Sequence, residues 1–244
     1  MRVVHACLLA LLPLATAVAG NGKKPSVPPD PSTDPVMTGA GFLDWHPDLR
    51  FRARGMVAYN DHDDAKALHD FQRAAYYADK ASQAMVAEML WNGRGAARDR
   101  PLAYAWMDLA AERGYPVFIA VRERYWRELD AGERTCAVEA GRAVYARYGD
   151  KVAKPRIAAQ LRRGRGQVTG SRTGFVGNLS IIVPGPGGTM LRIDPEVYYA
   201  ARYWEPRKYQ KWQDAMWRDP RIGHVTVGDV EAVADPARSD ATQP

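Results

Sequence analysis

The chain has little cysteine, with Cys7 and Cys136 the two in 244 residues. Cys7 lies in an N-terminal segment that we expect to be removed, so Cys136 would stand alone and no internal disulfide could form. A disulfide-stabilised scaffold is therefore excluded, and stability must come from packing. Because the remaining histidines lie in unrelated sequence contexts, we favour a buried structural thiol at Cys136 over a nucleophile or an intermolecular bridge.

The sequence has one long uncharged apolar run, at its N-terminus. Met1-Arg2 gives a basic start, residues 3–18 carry no charge, and Ala17-Val18-Ala19 fits a small-residue cleavage site. The run is short and rich in alanine for a membrane span. We therefore predict a signal peptide over residues 1–19, a periplasmic or secreted protein, and no stable membrane span after cleavage. An uncleaved anchor and a lipid-anchored Cys7 are the alternatives.

The residue patterns that catalysis needs are missing as well. No acid pair, cysteine–histidine pair or zinc-ligand spacing is present. Residues 184–188 form a glycine-rich turn without a Lys-Ser/Thr ending, and two prolines remove backbone donors that a phosphate would need. We therefore predict that the protein is not an enzyme and needs no cofactor. The alternative is a hydrolase site near Cys136, Ser171 or His224.

One segment suggests a metal site, because Asp61-His62-Asp63-Asp64 is followed by His69-Asp70. Its geometry is poor, since Asp63 and Asp64 are needed at a helix start and His62 would face His69 about two turns along. We interpret the segment as a capped, solvated helix terminus and predict no metal.

Acidic residues are absent from Lys151 to Arg172, where seven cations lie. Loss of Arg2 with the signal leaves 33 basic against 28 acidic residues, a net charge of +5. In an exported protein this run favours anionic lipid, envelope polysaccharide or an acidic protein face over nucleic acid. A solvated helix end is the simpler alternative. The candidate binding residues are Lys151, Lys154, Arg156, Arg162, Arg163 and Arg165.

Two stretches offset by 36 residues repeat one plan of apolar and small residues. The first has Asp63, Ala67, Phe71, Ala74 and Ala75, and the second has Asp99, Ala103, Met107, Ala110 and Ala111. Paired alanines allow close helix approach, and a unit that cannot bury its apolar face alone must stack on a copy of itself. We predict three helical hairpins within residues 44–150, with helices at 49–59, 65–77, 81–92, 101–113, from 116 and at 134–148.

The second copy carries a family resemblance. Gly93-x-Gly95, then Asp99, Ala103, Trp106, Ala110-Ala111-Glu112 and Gly114 resemble the Sel-one-like repeat, a relative of the tetratricopeptide repeat. The first copy departs from the pattern at Asn60-Asp61-His62, at Asp70 and at Ala78. Over residues 50–126 the resemblance implies a short solenoid whose concave surface binds peptides or proteins. The positions that it assigns are turn glycines, a capping aspartate and packing residues: Asp63, Ala67, Ala74, Ala75, Gly93, Gly95, Asp99, Ala103, Trp106, Ala110, Ala111 and Gly114.

The regions outside the repeats are predicted from composition. Residues 20–43 contain several prolines, a composition that predicts a linker. Residues 235–244 are polar, which predicts a frayed tail. Residues 151–234 predict a small α+β extension, either a cap on the repeats or an independent domain. It would contain a basic helix over 154–163 followed by a glycine-rich loop to 177.

The extension also predicts a β-hairpin from segments 179–183 and 190–193, helices from Asp194 and over 206–217, and a last strand at 224–227. One helical stripe would hold Val197, Ala201 and Trp204, and another Tyr209, Trp212 and Met216. The aromatic and basic residues between 198 and 218 are interpreted as the core of a cap on the last repeat. Their use to grip a sugar or a peptide is the alternative.

Together these features predict a mostly α fold, a short helical-hairpin repeat solenoid with a small α+β extension. We expect an exported, non-catalytic scaffold or adaptor that binds a protein or peptide in the cell envelope. The alternative is binding of peptidoglycan or an anionic polysaccharide through segment 151–172 and the C-terminal aromatics.

Overall fold

The computed structural model describes residues 30–169, 181–184 and 189–218, which are mostly helical with one two-stranded sheet. The predicted signal peptide, the first part of the linker, Ser171, the strand at 224–227 and the frayed tail lie outside the described residues. No described helix combines the length and the apolar character that a membrane crossing requires.

Six helices fill the region in which hairpins were predicted. They are α2 Pro47–Asn60, α3 Asp64–Ala75, α4 Lys80–Asn92, α5 Arg100–Ala110, α6 Pro116–Glu128 and α7 Ala131–Tyr148. Asp63, Asp99 and Asp130 start α3, α5 and α7 by accepting a hydrogen bond from a first-turn backbone N–H. Packing joins α2 with α3, α3 with α4, α4 with α5, and α5 with both α6 and α7. The predicted helices are therefore confirmed with small shifts at their ends, but α6 packs on α5 rather than along α7, so the third predicted hairpin is not confirmed.

The two sequence copies share their burial pattern and their terminal turn, although α3 packs on α2 and α4 while α5 packs on α4, α6 and α7. Ala67 and Ala103 are fully buried, as are the alanine pairs at 74–75 and 110–111. Each copy ends on a left-handed residue, Ala78 at φ 69° in the first and Gly114 at φ 74° in the second. The first copy therefore keeps the backbone of the second even where it lacks the glycine.

Most buried hydrophobic residues in the described parts of the chain fall into two clusters. The larger, which we call the repeat core, joins the end of α2 to α7 and contains alanines, aliphatic side chains and six aromatic residues. The second, the terminal core, joins the N-terminal segment, the start of α2, the helix after α7 and the C-terminal elements. It contains Met37, Phe42, Leu49, Ile157, Leu161, Val183, Ile193, Tyr198, Tyr199, Tyr203, Trp204, Tyr209 and Trp212.

The described part of the predicted linker is folded rather than extended. Residues 31–33 and 42–44 form short 3-10 helices around α1, Pro35–Gly39. Asp30 and Asp34 cap the first two of these elements, and each is followed by a proline at the first helical position. Met37 and Phe42 are buried in the terminal core. The prolines therefore begin helices here instead of spacing two domains.

The helix α8, Asp150–Thr169, is longer than the predicted basic helix, and the predicted loop from Gly164 was wrong for its first residues. Gly164 is required by packing, since a Cβ there would lie 2.4 Å from the Trp45 ring. A glycine read as a chain breaker is instead the point at which α8 meets the N-terminal segment.

The C-terminal elements are β1 Ile181–Pro184, β2 Met190–Ile193, α9 Pro195–Tyr198, α10 Ala201–Trp204 and α11 Pro206–Arg218. The strands pair antiparallel with Ile181 opposite Ile193, which confirms the hairpin. The prediction of one helical stripe through residues 197, 201 and 204 was wrong. The chain is not helical between the end of α9 and the start of α10, and Val197 is 49% exposed. The stripe of Tyr209, Trp212 and Met216 packs in the terminal core, as predicted.

Candidate functional site

Helices α2, α4 and α6, the first helices of the three predicted pairs, line a common groove of about 480 Å³. Its apolar wall combines Ala53 and Met56 of α2, Ala81, Ala84 and Met85 of α4, and Phe118 of α6. Met56 is 40% exposed, so the wall is open to solvent. Methionine side chains adapt to differently shaped partners, which suits a surface that accepts a peptide. We call this surface the inner groove.

Both ends of the described chain complete the inner groove. Asp30, Ser32 and Thr33 line one side of it, and Trp217 of α11 lies against Phe118 with ring centroids 5.6 Å apart. Arg52 of α2 holds the N-terminal side, since it forms ion pairs with both Asp30 and Asp79. No sequence pattern indicated that these distant segments would meet at the groove.

Buried hydrogen bonds anchor α11 beside the groove. Tyr209 Oη donates to Asp48 Oδ2 at 2.6 Å, and Tyr115 Oη donates to Asp214 Oδ1 at 2.5 Å. Burial raises the pKa of Asp48 to about 7, although the bond from Tyr209 favours the charged form. Burial likewise raises the pKa of Tyr209 well above its ordinary value. These groups hold α11 against α2 and the start of α6; the Tyr209–Asp48 bond is buried, and the Tyr115–Asp214 bond is partly buried.

His46 joins the same anchor. Its ring nitrogens contact the carbonyl oxygens of Phe42 at 2.7 Å and Tyr203 at 2.9 Å, and its ring stacks on Phe42. Burial lowers the pKa of His46 to about 4, although both carbonyls favour the protonated ring. The histidine therefore ties the N-terminal segment to α10, and its buried ring is inaccessible to a substrate.

A largely buried ion network lies at the start of α4, next to the groove residue Ala81. Lys80 at the start of α4 contacts Glu112 at 2.6 Å and Asp150 at 3.3 Å. Arg113 donates two hydrogen bonds of 2.8 Å to Asp150. Burial disfavours ionised Asp150, but Arg113 and Lys80 outweigh it and lower its pKa. The repeat pattern did not indicate this network, because Lys80 stands at the position where the next copy has Pro116.

The residues predicted to shape the repeats have packing and turn contacts. Gly93 and Gly95 have φ values of 70° and 74°, and a Cβ on Gly95 would lie 2.3 Å from the Asp64 carbonyl oxygen. Trp106 is buried and lies 4.5 Å from Tyr148, measured between ring centroids. These residues determine the spacing of the helices that carry the inner groove, and none of them lines it.

The predicted basic residues do not converge on one surface. Arg156 stacks on Tyr76 and donates to the carbonyl oxygens of Tyr76 and Arg147. Lys154 pairs with Asp150 at 2.6 Å, and Arg165 pairs with Glu205 at 3.5 Å. Lys151 and Arg163 are exposed on α8. Half of the predicted cluster therefore makes contacts within the protein.

Arg162 and Lys154 contribute to a second groove, of about 540 Å³, between α8 and α11. Arg207 and Lys211 of α11 complete its basic lining, and none of the described residues that line it is acidic. The sequence placed the cations of α8 and those of α11 in separate clusters. Packing of α11 on α8 joins them in what we call the basic groove.

Cys136 and segment 61–70 are the remaining candidate chemical sites within the described residues, and Asp70 of that segment is buried. Cys136 is exposed on α7, so the prediction of a buried thiol was wrong; no described element packs over that face of the helix. His62 lies in an exposed left-handed turn before α3. Among the described residues, no group of three or more His, Cys, Asp and Glu side chains could hold a metal ion.

The tail aromatics form a core, as predicted, but with a different partner. Trp204 packs edge-on against Phe42, with centroids 5.8 Å apart, and Tyr198 donates to the carbonyl oxygen of Ala40 at 3.0 Å. The aromatic side chains therefore pack mainly on the N-terminal segment and α8, rather than on the last helix pair. Trp217, which lies against Phe118, is the exception among them.

No protein-family model, no curated protein and no solved structure matches this chain.

Proposed function

We propose that the protein is a non-catalytic scaffold that binds a peptide segment of a partner protein in the inner groove. In this proposal the three helix pairs form a short Sel-one-like solenoid, with α2, α4 and α6 as its concave side. The observation that carries the proposal is the apolar groove, to which all three first helices contribute side chains.

The composition of the groove supports a peptide as the bound molecule. Alanines at positions 53, 81 and 84 leave room for the main chain of a partner, while Met56 and Met85 supply adaptable apolar contacts. Arg52 already pairs with Asp30 and Asp79, so its charge is satisfied without a ligand. We therefore expect apolar side chains of the partner to supply most of the binding free energy.

The N-terminal segment determines where binding would occur. If residues 1–19 direct export, as their sequence predicts, the partner is a protein of the cell envelope. The same proposal includes neither a cofactor nor a catalytic residue.

Cross-linking from within the groove tests this proposal. A photo-reactive phenylalanine analogue in place of Met85 should capture a partner in intact cells, and mass spectrometry should identify the linked segment. Met190, which is 70% exposed on β2, is the matched control position for the same replacement. Equal capture from both positions would contradict a site in the groove.

A positive charge introduced into the inner groove tests the affinity for the captured peptide. Ala84→Arg should weaken binding of the captured segment, made as a synthetic peptide, by at least about tenfold, because a bulky cation replaces an apolar contact. Ala65→Arg adds the same charge on an exposed face of α3 and should leave affinity unchanged. Circular dichroism should be the same for both variants.

The basic groove favours a second candidate function, the binding of an anionic envelope polymer. Reversal of charge at Arg162 and Arg207 should abolish sedimentation with purified envelope, and wild-type binding should weaken steeply as salt rises. Arg127→Glu, on exposed α6, is the charge-matched control. If binding is insensitive to salt and to both reversals, this second function is wrong.

A further inference from the structure

A third cavity, distinct from both grooves, lies where the C-terminal ends of α3 and α7 meet α2. It has a volume of about 300 Å³, and it combines aromatic rings with cationic side chains. The lining residues are Phe51, His69, Gln72, Arg73, Tyr76, Tyr77, Arg147 and Tyr148. None of these lining residues is acidic, and we call the cavity the arginine pocket.

The aromatic rings of this pocket orient guanidinium groups. Arg73 lies over the ring of Phe51, with 3.8 Å between its guanidinium carbon and the ring centroid. Arg147 lies 5.4 Å from the centroid of Tyr148. Stacking of this kind restricts the guanidinium plane while leaving its N–H donors free to point outward. Both arginines therefore present oriented donors at low entropic cost.

The carbonyl groups at the C-terminal ends of α3 and α7 are hydrogen-bonded by another residue, so they do not need Arg73 or Arg147 as donors. Arg156 donates to the carbonyl oxygen of Tyr76 just after α3 and to that of Arg147 near the end of α7. It therefore covers carbonyls that would otherwise attract a cation. Within the described part of the chain, no carboxylate forms an ion pair with Arg73 or Arg147. Their positive charge is left for another molecule.

The surroundings add positive charge. Arg50 and Arg54 lie 5.0 Å and 5.7 Å from the centroid of Phe51, so three guanidinium groups surround one ring. Arg50 pairs with Asp44 at 3.7 Å, and Arg54 pairs with Asp70 at 3.5 Å. Asp44 and Asp70 therefore form ion pairs with arginines that do not line the pocket. The positive charges of the arginines that line the pocket are not neutralised by these two carboxylates.

We propose that the arginine pocket binds a small ligand through an oxyanion, a phosphoryl or carboxylate group, held by the guanidinium groups of Arg73 and Arg147. Planar guanidinium groups bind either oxyanion through paired N–H donors. The tyrosine hydroxyls and the Gln72 amide supply further hydrogen-bonding groups for the polar body of the ligand. The faces of Phe51 and Tyr76 are already covered by arginines, so charge rather than ring stacking should determine selectivity.

Calorimetric titration of the full chain with inorganic phosphate, citrate and glucuronate tests this site. We expect saturable binding of at least one of the three probes with a dissociation constant below about 1 mM. If phosphate binds more tightly than citrate and glucuronate, the ligand carries a phosphoryl group. If citrate or glucuronate binds more tightly than phosphate, the ligand carries a carboxylate. If none of the three binds saturably, the proposal is wrong.

Matched variants separate the pocket from general positive charge. Arg73→Gln and Arg147→Gln should each weaken binding about tenfold, since each removes a charge-assisted contact. Arg163→Gln removes the same charge from exposed α8, outside the pocket, and should leave binding unchanged. Equal effects of all three would overturn the proposal. Arg73→Lys keeps the charge without the planar fork, so it should weaken binding less than Arg73→Gln but more than Arg163→Gln.

Discussion

The repeat core and the terminal core differ in the sequence distance that their contacts span. The repeat core combines alanines and aliphatic side chains with six aromatic residues on neighbouring helices, so its contacts join segments that are close in sequence. The terminal core uses seven phenylalanine, tyrosine and tryptophan side chains from both ends of the described chain. His46 and Tyr203, for example, are 157 positions apart. The comparison shows that helices with a repeating sequence pattern can pack beside a core whose residues follow no repeating pattern.

The first prediction concerns the largest expected effect, the loss of a core ring. Trp204→Ala should destabilise the protein by about 3–5 kcal/mol, because Trp204 is fully buried among Phe42, His46 and Tyr198. Hydrogen exchange should then show lost protection in α10 and α11 with α5 still protected.

Phe71→Ala is the matched change in the repeat core, where Phe71 is fully buried. It should cost a similar free energy but expose amides of α3, α4 and α5 together, because α4 packs on both of the other helices. If Trp204→Ala removes protection from α5 to the same extent, the two cores unfold as one unit and the comparison fails.

The second prediction uses pH to isolate the terminal core. Asp48 has a folded pKa of about 7, above its ordinary value of 3.8, so its contribution to stability is lost as pH rises from about 4 to 7. His46 has a folded pKa of about 4, below its ordinary 6.5, so its contribution is lost as pH falls from about 6.5 to 4. The two effects oppose each other in the wild type.

Asp48→Asn removes one of these effects. The variant should gain stability as pH rises from about 4 to 6.5, with a slope of up to about 1.4 kcal/mol per pH unit. The wild type should be flatter over the same range. Urea unfolding at several pH values measures both curves, and parallel curves would show that Asp48 does not titrate in this window.

The third prediction addresses the contact between α8 and the N-terminal segment. Gly164→Ala should destabilise the protein by about 1–3 kcal/mol, since the added Cβ would overlap the ring of Trp45. Gly166→Ala on the same helix meets no atom within 4 Å and should be neutral or slightly stabilising. Thermal unfolding compares the two, and equal melting temperatures would place α8 away from Trp45.

The fourth and smallest effect compares the two repeat copies. Ala78→Gly should stabilise the protein by up to about 1 kcal/mol, because Ala78 is held at a positive φ that glycine adopts without strain. Gly114→Ala should destabilise it by a similar amount through backbone strain alone, since no atom lies within 4 Å of the added Cβ. Denaturant titration should give changes of opposite sign; two changes of the same sign would mean that the copies are not equivalent.

The repeat region was largely predictable because its signals are local. Asp63 and Asp99 cap helices, alanines recur at one spacing, and glycines mark turns that require a positive φ. The inner groove follows from the same periodicity, since it lies on the first helix of each pair. The resemblance predicted a binding surface on the helical repeats, which stays a prediction, and the two residues that bracket the groove, Asp30 and Trp217, were missed.

The terminal core was not predictable, because its contacts have no local signal. A short proline-rich segment has the composition of a linker, and the burial of Met37 and Phe42 depends on rings about 160 positions away. Gly164 marks a helix–ring contact rather than a loop, which one sequence cannot distinguish. The basic groove was missed for the same reason, since α8 and α11 meet only through this core.

Methyl NMR of the methionines, with the captured peptide added, tests the central claim that the inner groove binds a partner. Met56 and Met85 lie in the groove, whereas Met190 lies on the hairpin in the terminal region. We predict that the methyl resonances of Met56 and Met85 shift in proportion to the bound fraction while that of Met190 stays in place. A shift of the Met190 resonance with those of Met56 and Met85 unchanged would contradict the account.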